Sequence, residues 1–245
     1  MIELNVDIAT RDGAMNCFIT HPESNGPHPV VLFLMDAPGK REELHDMASR
    51  LATAGYYVVL PNLYYRSVRE FNVFSGEPDQ GRDAMVALMS SLTDELVASD
   101  AAAIFEYIDV DPQAKSARVG VVGYCMSGPF AFALACLYPE RVVAAASIHG
   151  VRLFGDGSPA HLANQSTAEL YFACAEFDQW APADMVNSLA DYLTALQLPA
   201  RVEWYPGVHH GFTFSKRGPD IYDQPSAERH WERLHDLFRR NLLAR

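Results

Sequence analysis

The chain has 245 residues, of which 49% are hydrophobic and 20% charged, so it is long enough for one large α/β domain with a substantial core. Its formal charge of −12 argues against a nucleic-acid partner, which would call for a basic face. The longest apolar runs, such as "VVLFLM" at 30–35, are far too short to span a bilayer, and the opening "MIELNVDIATRDG" lacks the basic and apolar regions of a secretory signal. The four cysteines, Cys17, Cys125, Cys136 and Cys174, show neither a CxxC pair nor metal-ligand spacing and are read as reduced thiols of a cytoplasmic protein.

In chain order, "IELNVDIA" and "GAMNCFIT" alternate around "TRDG" and predict an opening hairpin with one wet face. "HPESNGPHP" is a turn-rich loop, and 30–35 reads as a strand buried on both faces. Apolar residues at Leu44, Met47, Ala48, Leu51 and Ala54 predict a helix over 41–55 ending at Gly55. "YYVVLP" is a further strand, and 61–81 is an irregular aromatic loop. One long helix is expected over 82–108, a strand over 117–122, then a helix to about 138 and the strand "RVVAAASIHG". After an irregular stretch at 151–168 come the strand "AELYFACA", a helix at 182–196, the strand "ARVEWYP" and a final helix over 225–242. This alternation predicts a single domain, 1–245, with a mostly parallel central sheet, helices on both faces and an N-terminal hairpin. In such sheets ligands bind beyond the carboxyl ends of the strands.

Three such ends carry candidate chemistry, in the order nucleophile, acid, histidine: Cys125, Asp178 and His210. A thiol at its ordinary pKa is only a few per cent thiolate at neutral pH and needs a base. A histidine can take its proton, and a carboxylate on the other ring nitrogen fixes the tautomer. "GYCMSG" at 123–128 suits a strained elbow between strand and helix, in which small residues at Gly123 and Ser127 leave room and Gly128 relieves crowding. The backbone N–H of Met126 then becomes an oxyanion donor beside a helix N-terminus. His209 is the rival of His210, and Glu176 the rival of Asp178. Cys125 has a second reading as a buried structural thiol or a redox-sensing one.

These segments, with "AEFDQWAP" at 175–182, "HHGF" at 209–212 and "AGYYVVLPNLYYR" at 54–66, resemble the dienelactone hydrolase family of α/β-hydrolases over nearly the whole chain. The resemblance implies the α/β-hydrolase fold, a Cys125–Asp178–His210 triad, and hydrolysis of a small-molecule lactone or other activated carboxylic ester through an acyl-cysteine. It implies Ala37 as the second oxyanion N–H. Where the family commonly carries His-Glu, this chain has Met35-Asp36, so Asp36 is expected as a thiol-gating or site carboxylate, with a helix N-cap as its other reading. Arg66 matches one carboxylate-binding arginine, though a surface ion pair leaves the same trace. The second position, four after the histidine, is Phe214. Tyr64 and Phe214 are expected at the substrate, which fits a less charged or larger ester than dienelactone. Acyl transfer, or cleavage of a thioester or peptide-like bond, by the same site remains a second reading. No metal-ligand spacing, glycine-rich nucleotide loop or other cofactor motif occurs, so no cofactor or metal is expected.

Overall fold

A computed structural model describes residues 1–243, in two compact units that divide after Val119. In the first unit, β1 (Ile2–Thr10) and β2 (Gly13–His21) form the expected antiparallel hairpin, with register from Ile2↔His21 to Thr10↔Gly13. The Thr10 hydroxyl closes its turn by donating to the Gly13 carbonyl. β1 is largely wet, whereas β2 is buried from Met15 onward. β3 (His28–Leu34) and β4 (Tyr57–Pro61) are buried at every residue and pair in parallel, as their unbroken apolar runs require. Helix α1 (Glu42–Thr53) buries Leu44, Met47, Ala48 and Leu51, and the chain then reverses at Gly55 with φ +104°.

The single helix expected over 82–108 is instead two, α2 (Arg82–Ser90) and α3 (Asp94–Val110). At the break, Thr93 turns extended and its side chain accepts from the Leu96 N–H, which starts α3 as a capped helix. The Ser90 and Ser91 hydroxyls donate back to the Val86 and Leu88 carbonyls. No residue of α2 is buried, so no packing opposes the break.

Strand β5 (Ala114–Tyr124) runs across the division between the units. It is followed by α4 (Gly128–Leu137), β6 (Val142–Ile148), β7 (Glu169–Phe177), α5 (Ala183–Ala195), β8 (Ala200–His209) and α6 (Gln224–Phe238). β6, β7 and β8 pair in parallel. The eight strands form a mostly parallel sheet ordered β1-β2-β4-β3-β5-β6-β7-β8. Helix α4 is buried from Gly128 through Cys136, in keeping with its all-apolar sequence, and α6 turns Trp231, Leu234, Leu237 and Phe238 inward. Phe238 packs so closely on β5 that a Cβ on Gly120 would lie 2.7 Å from its ring.

β8 continues past the expected end of its apolar run to His209. A register shift between Ala175 and Phe177 accommodates the extra length, and Glu176 accepts the Gly207 N–H at 2.7 Å. Among the described residues, no helix is long and apolar enough to cross a membrane. The strand ends now carry a pattern: Cys125, His149, Asp178 and His210 are the first residues beyond β5, β6, β7 and β8.

Candidate active site

Cys125 stands on a sharp turn between β5 and α4 with φ +55°, a conformation that non-glycine residues rarely adopt. The surroundings enforce it. A Cβ on Gly123 would lie 2.1 Å from the Ser127 carbonyl oxygen, and one on Gly128 would lie 2.5 Å from the Gly150 Cα. Ser127, one atom pair larger than the glycine the turn could use, closes the elbow: its hydroxyl accepts the Tyr124 N–H at 2.9 Å and donates to the Tyr124 carbonyl at 3.1 Å. Cys125, Met126 and Ser127 make one 3₁₀ turn leading directly into α4, so the Met126 N–H belongs to the positive end of that helix.

All four cysteines are free, and Cys125 alone is not buried. Burial pushes the Cys17 and Cys174 thiols up to about 12, which makes them inert packing groups. Cys125 instead raises the proton affinity of His210. Nδ1 of that ring is 2.7 Å from Asp178 Oδ2. The Asp178 carboxylate is fully buried, and its Oδ1 accepts the N–H groups of Trp180 at 2.8 Å and Ala181 at 3.2 Å. Burial disfavours the imidazolium of His210, but the hydrogen bonds and charges of Asp178 and Cys125 outweigh it and push the histidine up to about 10. His210 and Asp178, remote in the chain, are thus joined by a hydrogen bond, and Cys125 influences the same ring. The rivals lie elsewhere: His209 is exposed on β8 against Phe177, and Glu176 holds the β-bulge.

The remaining expected positions fall as follows. Asp36 is fully buried and does not cap α1, whose N-cap is Arg41. Its carboxylate takes both ends of the Arg41 guanidinium, at 2.5 and 3.2 Å, and Arg41 also reaches Glu43 at 2.8 Å. Ala37 is buried, and its carbonyl accepts the hydroxyl of buried Tyr64 at 2.9 Å. Arg66 forks onto Asp100 at 2.7 and 2.9 Å, donates from Nε to Asp12 at 2.8 Å, and stacks on Tyr65. Phe214 is fully buried beside Tyr124 and His149, with Arg217 over its ring. Arg41 was not picked out from sequence; an arginine between a lysine and two glutamates looks like solvated helix charge.

The profile of the dienelactone hydrolase family matches residues 15–242. A Synechocystis protein provisionally named a carboxymethylenebutenolidase is 25% identical over 228 residues, covering 92% of this chain and 91% of its own length. The carboxymethylenebutenolidase of Rhodococcus opacus is 25% identical over 225 residues, covering 89% and 83%. Among solved structures, one from Klebsiella pneumoniae, provisionally named a dienelactone hydrolase, superposes with a TM-score of 0.85 at 24% identity, covering 97% of this chain and 98% of that one; at that identity it speaks for the fold. With a profile match over nearly its whole length and an α/β sheet of the matching architecture, the chain belongs to the dienelactone hydrolase family, a family of ester-hydrolysing enzymes.

Proposed function

We propose that the protein hydrolyses small, uncharged carboxylic esters or lactones through an acyl thioester on Cys125. The observation that supports this reading is that Cys125, Asp178 and His210 stand first beyond β5, β7 and β8, with His210 Nδ1 2.7 Å from Asp178 Oδ2. With Asp178 on Nδ1, the second ring nitrogen of His210 serves the sulfur, and the raised affinity of His210 for a proton leaves the thiolate as the attacking species. The sulfur adds to the carbonyl carbon, and the charge that develops on the oxygen is met by the Met126 N–H at the head of α4. The family resemblance adds the Ala37 N–H as a second donor and Asp36 as a site carboxylate. As the C–O bond breaks, the His210 imidazolium gives its proton to the leaving alkoxide; in a lactone that group stays tethered. Water then loses a proton to His210 and adds to the thioester carbon, and expulsion of the sulfur restores the enzyme and frees the acid.

The committed state of Arg66 supports an uncharged substrate. To take a substrate carboxylate, it would have to leave Asp100, which is 1% exposed, and Asp12. A buried carboxylate stripped of its partner is strongly unfavourable. We read the chain as one α/β-hydrolase domain, and four free cysteines support a reducing compartment such as the cytoplasm.

Steady-state hydrolysis of a series of aryl esters and lactones tests the reading. Cys125→Ala and His210→Ala should each lower kcat by on the order of 10⁴-fold or more, with little change in melting temperature. Wild-type turnover in Cys125→Ala would end it.

A further inference from the structure

Of the four residues that stand first beyond β5, β6, β7 and β8, three belong to the proposed relay. The fourth, His149, has no part in it. Its side chain is buried at 1% exposure, and its ring meets that of His210 edge-on, with centroids 5.0 Å apart and planes at 64°. Nε2 lies 3.0 Å from the Thr213 hydroxyl, while Nδ1 has no hydrogen-bond partner. The backbone of His149 has φ +37°, in the left-handed region. Two residues on, the Val151 N–H donates to the carbonyl of Cys125 at 3.2 Å. The turn that begins at His149 therefore touches both ends of the thiol–imidazole pair: its side chain meets the base, and its backbone holds the elbow.

The environment of this ring is otherwise apolar and aromatic, with Tyr124, Phe212 and Phe214 around it. A phenylalanine would fill such a slot without burying an unpaired nitrogen. A strained backbone and an orphaned polar atom at one residue are two unfavourable features, and they persist together where a specific task requires them. We propose that His149 is a positioning residue: anchored on Thr213 through Nε2, its neutral ring forms the wall that keeps His210 aligned with the sulfur of Cys125. The inference rests on the relay reading of Cys125, His210 and Asp178.

The wall must be uncharged, since a second imidazolium 5.0 Å away would oppose the one that forms on His210. The structure meets that condition. Burial, then the neighbouring His210, His230 from α6 and Arg217 from the loop after β8, hold His149 well below the ordinary histidine range. Tyr124, the remaining titratable group against it, contributes a ring face from the end of β5.

The test is the pH dependence of Cys125 alkylation by iodoacetamide, read together with kcat and KM for an aryl ester. His149→Phe keeps the ring and loses the Thr213 bond; Thr213→Val removes the same bond and leaves residue 149 intact; His149→Gln carries the same backbone strain but can still reach Thr213. In the Phe and Val variants the alkylation profile should move up by about one pH unit, and kcat should fall about tenfold or more with KM within about threefold. His149→Gln, which can reach Thr213 but has no ring to form the wall, should recover neither, and full recovery would overturn the part assigned to the ring. Wild-type profiles and kcat within about twofold in His149→Phe and Thr213→Val would overturn the inference. His210→Ala separates the two levels. If it alkylates like the wild type, the relay itself fails and takes the inference with it. If it differs while His149→Phe does not, only the role of His149 fails.

Discussion

His210 is the residue whose behaviour depends most on its neighbours. Burial works against its charged form, and Asp178 and Cys125 more than reverse that effect, leaving it protonated up to about pH 10. In the proposed thiolate–imidazolium pair the folded chain holds as many protons as the unfolded one until an unfolded thiol ionises near about 8.5, so it holds one more only between about pH 8.5 and 10. The stabilisation from this site is therefore complete below the lower value and is lost as pH rises through the upper one. Asp178→Asn should cut kcat by on the order of 10⁴-fold, because the amide cannot fix the tautomer or support the imidazolium. The same variant should flatten the decline in urea midpoint between about pH 8.5 and 10; an unchanged decline would assign it to other groups. That Cys125, Asp178 and His210 lie at strand ends was legible in the sequence, because each sits next to an apolar run and a turn-forming residue. The choice between His209 and His210 was harder. It depends on the bulge at Ala175–Phe177, which lets β8 run on to His209 and sets which histidine clears the ladder.

At the scale of elements, strands buried on both faces were the most readable parts, since Val30–Leu34 of β3 and Val58–Leu60 of β4 are unbroken aliphatic and aromatic runs. Amphipathic α1 was found to within two residues by its spacing. The division of the 82–108 stretch into α2 and α3 was missed, although Ser90, Ser91 and Thr93 favour turns and caps over helix interiors and the side chain of Thr93 caps α3. Thr93→Ala should therefore cost about 1 kcal/mol in urea unfolding and leave kcat unchanged. No loss of stability would mean that the break is set by packing of α3 alone. The same limit applied to Asp36: an acid six residues before the helix has two readings, site carboxylate or helix cap, and only the fold brings the Arg41 guanidinium onto it.

For the whole molecule, a net charge of −12 sits uneasily with an anionic substrate, and the pairing of Arg66 points the same way. Arg66→Met should destabilise the protein by about 3 kcal/mol, since buried Asp100 would lose its guanidinium partner and keep the weaker Tyr65 hydroxyl. KM for uncharged esters should stay within about threefold of the wild type; a rise of about tenfold confined to anionic esters would restore Arg66 as a substrate contact. The fold class followed from strand–helix alternation, yet pairings such as Arg66 with Asp100, 34 positions apart, follow from topology and leave no local trace. The central claim is that the acyl group passes through the sulfur of Cys125. Its most direct test is intact-protein mass spectrometry after mixing with a slowly deacylating ester. The account requires one acyl mass on the 123–128 peptide, formed at the rate of the burst and removed by neutral hydroxylamine. Full ester turnover with no adduct on that peptide at any time, and a burst that persists in Cys125→Ala, would contradict it.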